Sequence, residues 1–310
     1  MSPAGASNSP PQVQLPSVLP APRQIKLYNS GSFFDPGAIP PEDYPAIAER
    51  LRPFERAIVE CHPALVGRSA LTFRDLLSGT CAGASAPRSP SKIGLRGGTA
   101  LAAAVSPKRE RNVTGAQPLS SAPVGHCSTD ASPGCLATKL EVAMGLETAH
   151  PGVLDKLNKR MTLDLFRRAA EYLRSNDIAL RVFVLGKPPF LDEAGALEWA
   201  GRSVDFAFDC GATAVSLIPT RLGNGALEAL AACGEFSPPK LSTLEAVLDY
   251  GIGLKRGRVF VDLWDLEKFA NCPACFERRR ARLDEMNLEQ VVRPPVDCEC
   301  YQMRDAGKPR

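Results

Sequence analysis

Residues 142–190 read VAMGLETAHPGVLDKLNKRMTLDLFRRAAEYLRSNDIALRVFVLGKPPF, and their patterning decides the fold. The stretch opens inside an apolar run at 140–145 (LEVAMG) and closes on a second at 180–185 (LRVFVL). Both runs are too continuously apolar to keep one face wet, as expected for strands buried in a parallel sheet. Between them, within 162–176, Leu163, Phe166, Ala170 and Leu173 recur at spacings of three and four, one apolar face of a helix.

The same alternation extends on both sides. Further apolar, β-branched runs lie at 24–29 (QIKLYN), 57–60 (AIVE), 214–218 (AVSLI) and 258–263 (RVFVDL). Within 192–210, Leu197, Ala200, Val204 and Phe208 share a helical face, and Gly211 is placed to close that helix. Ser242 and Glu245 form an S-x-x-E pattern before Val247 and Leu248, the signature of a capping box. Six strand signals alternating with helices predict an α/β fold, either a barrel or an open doubly wound sheet. Periodicity leaves both open.

Composition draws the boundaries. Of 310 residues, 44% are hydrophobic and 23% charged, ordinary for a globular chain, and a net charge of +3 singles out no partner. Residues 1–22 carry Pro3, Pro10, Pro11, Pro16, Pro20 and Pro22 among Ser, Ala and Gln, and are expected to be a disordered leader. Residues 78–138 have no aromatic residue, and Glu110 and Asp130 are their only acids. They bury too little apolar area to offset their ordering entropy and are expected to be a disordered, low-complexity insertion. The folded chain is then 23–77 with 139–270, followed by a cysteine-containing extension at 271–310. No apolar run approaches the ~18 residues of a membrane span, and the leader has no basic start or apolar centre, so the expected location is cytoplasmic. The ten cysteines are too sparse for a disulfide scaffold.

Polar or charged groups stand at several strand ends. Asn29, Ser30, Gly31 and Ser32 follow the first run, Glu147 the third, Lys187 the fourth and Arg221 the fifth. Small polar residues around a glycine let the backbone approach a ligand, and a carboxylate such as Glu147 can hold the paired hydroxyls of a ribose. A lysine and an arginine at strand mouths suit a carboxylate or phosphate. Each also has a plainer reading: a polar turn, a carboxylate at a helix N-terminus, solvated loop charges. The cysteines are sharper. Cys272 and Cys275 form a CxxC, and Cys298 and Cys300 a CxC after 22 intervening residues; such thiolate pairs close a tetrahedral zinc site or hold an iron–sulfur cluster. Arg278, Arg279, Arg280 and Arg282 read as a solvated helix face, with phosphate contact as the alternative. His62 and His150 each precede a proline without a metal-ligand partner and read as structural.

Residues 27–35 (LYNSGSFFD), 55–66 (ERAIVECHPALV) and the block 142–190 resemble the core of radical S-adenosylmethionine (SAM) enzymes, nearest to elongator-like members and the archaeosine synthase radical SAM subunit. The resemblance implies a partial, TIM-like (βα) barrel in which a 4Fe–4S cluster reduces SAM. The 5′-deoxyadenosyl radical so formed takes hydrogen from a substrate, here of tRNA or nucleotide type, and the resemblance also admits a partner subunit. By that resemblance, Asn29, Ser30, Gly31 and Ser32 contact the amino-acid end of SAM and Glu147 the ribose. Lys187 and Arg221 resemble later strand-end residues of the SAM or substrate pocket. The sequence departs from the family in one large respect: the CxxxCxxC that holds the cluster occurs nowhere in it. The expectation is therefore a barrel missing its first βα unit, from a truncated or mis-assembled product, with radical chemistry weighed against. The competing expectation is a non-catalytic barrel remnant, a zinc-containing module that binds RNA or protein.

Overall fold

The computed structural model describes residues 23–28, 31–79 and 137–300. Six strands form one sheet: β1 (Gln24–Leu27), β2 (Arg56–Glu60), β3 (Lys139–Glu147), β4 (Ala179–Leu185), β5 (Ala214–Ile218) and β6 (Arg258–Val261). They lie in sequential order, every neighbouring pair parallel. Between them run α1 (Tyr44–Leu51), α2 (Arg68–Leu77), α3 (Pro151–Lys156), α4 (Leu163–Arg174), α5 (Glu193–Asp209), α6 (Ala226–Ala232) and α7 (Leu241–Gly253), and α8 (Pro273–Glu289) follows β6. Parallel strands in unbroken order, joined by helical crossovers, are the partial βα barrel expected from the sequence; the doubly wound alternative would need a reversal of strand order. Among the described residues, β1 and β6 are the two edges. The place where a preceding βα unit was sought, 1–22, lies outside the described residues, as does nearly all of 78–138. Thr138 is described: it is buried, and its hydroxyl donates to the carbonyls of Leu51 (3.2 Å) and Phe54 (2.8 Å).

The helices cover an apolar sheet face of Val59, Val142, Met144, Val182, Val215 and Val259, all fully buried. At the β1–β2 end, Phe33, Phe34, Tyr44 and Phe73 close the core with ring centroids 4.7 to 6.3 Å apart. The other sheet face is not apolar. Strand alternation puts Lys26, Arg56, Glu141, Arg181, Ser216 and Arg258 on it, so the expectation of strands without a polar face fails on that side.

The helix signals hold with two corrections. Thr162 caps α4 by accepting from the Leu165 N–H (3.1 Å), and Phe166, Ala170 and Leu173 are buried as their spacing requires. Gly211 closes α5 at φ +87°, a conformation that favours glycine. Leu197, however, is 45% exposed, because α5 turns Ala196 inward instead. Ser242 and Glu245 do not open α7: Lys240 is its N-cap, and the Glu245 carboxylate reaches across to Arg279.

α8 is the organising element of the far edge. Asn287 accepts from the Val261 N–H (2.9 Å) and donates to the Val261 carbonyl (2.8 Å). Gln290 does the same for Val259, at 2.7 and 2.9 Å. Two side-chain amides thus stand in for a seventh strand and satisfy the outer edge of β6.

Candidate functional site: the strand-end cavity and the thiol cluster

β3 ends abnormally, and the site begins there. A bulge interrupts its register with β4 between Gly145 and Glu147, and Glu147 has φ +63°, in the left-handed region. For a non-glycine residue this costs about 1–3 kcal/mol and persists only where the surroundings enforce it. They do so here: the Ala149 N–H donates to the buried Ser203 hydroxyl (2.8 Å), which donates in turn to the Trp199 carbonyl (2.5 Å). The turn swings the Glu147 side chain back over Gly145, where a Cβ would stand 2.8 Å from Oε1.

The carboxylate faces a cavity of about 210 Å³ beyond the C-terminal ends of β2 and β3. Gly31, Ser32, Glu60, His62, Lys159 and Phe183 line it with Glu147. Lys159 Nζ lies 3.4 Å from Glu147 Oε1. It comes from a tight turn in which Asn158 and Arg160 both have φ +51°. His62 Nδ1 accepts from the Ala64 N–H (3.1 Å), so in the neutral ring Nε2 carries the proton and donates to the Lys159 carbonyl (3.0 Å). Ser32 Oγ accepts from the His62 N–H (2.9 Å), which fixes the loop after β1 against the end of β2.

Of the residues singled out in the sequence, the structure brings Gly31, Ser32 and Glu147 to one cavity. Asn29 and Ser30 lie outside the described residues. Lys187 is elsewhere, with its side chain 3% exposed, its ammonium donating to Ser237 Oγ (2.6 Å) and Glu193 Oε1 (3.1 Å). Glu193 also accepts from Thr243 Oγ1 (2.5 Å), so Lys187 ties β4 to the starts of α5 and α7. Arg221 pairs with Asp262 (3.0 Å) and donates to the carbonyls of Pro219 and Trp264. Lys159 and His62 were not foreseen as cavity residues. The signal for Lys159 was the turn 156–159 (KLNK), and only the fold brings it back to Glu147.

Cys272, Cys275, Cys298 and Cys300 meet, as their spacing predicts, with all four sulfurs within 4.8 Å of one another. Cys272 and Cys298 are 3.9 Å apart, and Cys275 and Cys300 3.7 Å. Cys272 caps α8, and the Cys275 backbone N–H, followed by the Cys275 thiol, holds its pKa down at about 7. Four thiols in this arrangement could hold a metal ion. The arginines beside them are a solvated face only in part: Arg278 and Arg280 are exposed, Arg279 and Arg282 buried. Arg279 is buried against Glu245 (2.8 and 2.5 Å), and Arg282 binds Asp249 (2.7 Å) and the Arg293 and Pro294 carbonyls. Arg280 stays exposed, while Arg278 donates to the Asp297 carbonyl (3.2 Å). No described helix is long and apolar enough to cross a membrane.

No family model matches the chain. Archaeosine synthase subunit beta of Methanosarcina acetivorans is 29% identical over 182 residues, 53% of this chain and 49% of that protein. An uncharacterised protein of Methanocaldococcus jannaschii is 23% identical over 189 residues, 55% and 49% of the two chains. The chain thus spans about half the length of the curated relatives it matches. Among solved structures, the radical SAM methyltransferase TsrM from Kitasatospora setae, with cobalamin and a 4Fe–4S cluster bound, overlaps 64% of this chain and 28% of its own at 15% identity and a TM-score of 0.33. The likeness to the archaeosine synthase subunit drawn from residues 27–35, 55–66 and 142–190 is borne out by the match to archaeosine synthase subunit beta.

Proposed function

We propose that the Glu147 cavity takes the adenosyl end of SAM, in a cytoplasmic protein that works with a partner subunit on a tRNA or nucleotide substrate. The observation that carries this reading is the Glu147 carboxylate, held in a strained turn and directed into a cavity shared with Gly31 and Ser32. A carboxylate accepts two short hydrogen bonds from vicinal hydroxyls, which suits a ribose. The cavity's 210 Å³ is below the ~300–1,000 Å³ of a whole drug-sized ligand, so it takes a part of SAM, the nucleoside. Asn29 and Ser30, next to Gly31 in sequence, belong to the proposed contact with the amino-acid end. Lys187 and Arg221 act in this reading by holding strand ends in place.

The described residues do not fit a cluster at this mouth. Three thiolates are needed, and the cavity offers Cys61 alone, whose thiol donates to the His62 carbonyl and is pushed up to about 12 by burial. Radical initiation is therefore not assigned to these residues. The second reading, a zinc-containing binding module, is favoured by the sulfur spacing at the C-terminal site. A single zinc at ~2.3 Å from four sulfurs in a tetrahedron sets them about 3.8 Å apart. The close pairs, at 3.9 and 3.7 Å, match this. A cubane spreads its thiolates over separate irons and needs a wider set.

Titration calorimetry with S-adenosylhomocysteine tests the adenosyl assignment: binding that Glu147→Gln weakens about ten-fold supports it, and no heat with the unaltered chain ends it. Metal and acid-labile sulfide analysis decides the other site. One zinc per chain without sulfide supports the module reading, and sulfide in the bound metal rejects zinc.

A further inference from the structure

The four thiols come from two segments that are joined by more than their sulfurs. Cys272 is the N-cap of α8 and Cys275 lies in its first turn, while Cys298 and Cys300 lie on the tail, 291–300, that runs back along the same helix. Arg282 donates to the carbonyls of Arg293 (2.6 Å) and Pro294 (2.9 Å), and Arg293 pairs with Glu285 (2.8 Å) and Glu289. Nearer the thiols, Arg278 donates to the carbonyl of Asp297, next to Cys298 (3.2 Å). These side chains keep Cys298 and Cys300 within reach of α8 when a metal leaves.

The sulfurs make contact across the two segments. Cys272 Sγ meets Cys298 Sγ at 3.9 Å, and Cys275 Sγ meets Cys300 Sγ at 3.7 Å. A disulfide sets its sulfurs about 2.05 Å apart, so each cross-segment pair has about 2 Å or less to close. Access ranks the pairs. Cys272 and Cys298 are both half-buried, whereas Cys275 is fully buried behind them.

We infer that the cluster is a peroxide-responsive site, in which oxidation exchanges the metal for two disulfides, Cys272–Cys298 and then Cys275–Cys300, so that the tail stays tied to α8. For each bond, one thiolate attacks hydrogen peroxide, keeps one oxygen as a sulfenic acid and releases the other as water. The partner thiolate then attacks that sulfur, which forms S–S and releases the second oxygen as water. Each peroxide thus takes two electrons from a sulfur pair, and solvent supplies the two protons. The first bond leaves a metal with two of its four ligands, too few to hold it. In a reducing compartment such bonds are transient, and thiol reductants reverse them. The metal that leaves rests on the zinc reading of this site; the pairing rests on the sulfur geometry alone.

Zinc-loaded full chain, titrated with hydrogen peroxide beside a zinc-reporting dye and then mapped as non-reduced peptides, tests it. The expected result is full release of zinc by about two peroxides per chain, with Cys272 joined to Cys298 and Cys275 to Cys300. Hydrogen exchange across 296–300 should stay slow in the oxidised chain and rise when a chelator takes the metal instead. A thiol reductant supplied with zinc should reload the site. Bonds within the motifs, Cys272 to Cys275 or Cys298 to Cys300, or bonds to Cys81, Cys127 or Cys135, would overturn the inference. So would zinc that stays bound while exposed Cys233 is oxidised. A chain that takes up no zinc defeats the zinc reading, and the same peptide map on the metal-free thiols then decides the pairing, so the two failures are separable.

Discussion

Oε1 of Glu147 lies where it would be 2.8 Å from a Cβ on Gly145, two residues back along the same strand. The contact is between the far end of a flexible side chain and a position that only glycine leaves empty. Adding a methyl group there therefore moves the carboxylate and not the backbone.

Gly145→Ala should in consequence weaken S-adenosylhomocysteine binding about ten-fold, as far as one charge-assisted hydrogen bond is lost, while the melting temperature stays nearly constant. Calorimetry beside a thermal scan reads both. A large fall in melting temperature would mean that the strand, and not the carboxylate, had been displaced.

The buried Arg279–Glu245 pair joins α8 to α7, with side chains 5% and 8% exposed. Removing one partner leaves the other charge in a dry site, which costs about 3–5 kcal/mol. Glu245→Ala should lower the urea midpoint accordingly without changing the thiol site's metal content. Exposed Arg280→Ala, the control, should stay within about 0.5 kcal/mol.

How far the sequence announces these features depends on how local they are. The six strands, the buried face of α4 at Phe166, Ala170 and Leu173, and the Gly211 stop follow from patterns within one element, and all appear. The cysteine spacing brings four sulfurs together because CxxC opens α8 and CxC lies on the segment that returns to it. Glu245 was misread because S-x-x-E is a local pattern, whereas its partner Arg279 lies a strand and a loop away. Lys159 in the cavity and Lys187 outside it failed to be legible for the same reason. Their places are set by which loops fold back over the sheet, and no spacing within either loop records that.

The amides of Asn287 and Gln290 occupy the outer edge of β6. Replacing both with leucine leaves two N–H and two C=O groups of Val259 and Val261 without partners and opens a sheet edge. Each unmet buried group costs about 1–3 kcal/mol, and an open edge invites pairing between chains. The double variant should unfold at lower denaturant and form concentration-dependent oligomers on size exclusion. An unaltered monomer fraction at all concentrations would show that the amides do not guard the edge.

Cys61 supplies a reactivity prediction. Burial holds its thiol up at about 12, so it stays protonated throughout neutral and mildly alkaline pH. Alkylation requires the thiolate. Native protein treated with iodoacetamide at mildly alkaline pH should be modified at exposed Cys233 and not at Cys61, with Cys61 reacting only after denaturation. Peptide mass mapping reads this directly, and ready labelling of Cys61 in native protein would mean that the cavity floor opens.

Metal removal should act on a defined segment. The tail that carries Cys298 and Cys300 is held to α8 by Arg282, through the Arg293 and Pro294 carbonyls, and by Arg278 through that of Asp297. Arg293 adds ion pairs to Glu285 and Glu289 of α8, so the start of the tail is anchored by side chains and the four-thiol site restrains its far end, where Cys298 and Cys300 lie. A strong chelator, or Cys298→Ser with Cys300→Ser, should lower the melting temperature and raise hydrogen exchange across 291–300. β6 should keep its protection, because Asn287 in the last turn of α8 and Gln290 at its C-cap bind it ahead of the tail. Exchange that rises equally in β6 and the tail would mean that metal holds the whole helix and not the segment that follows it.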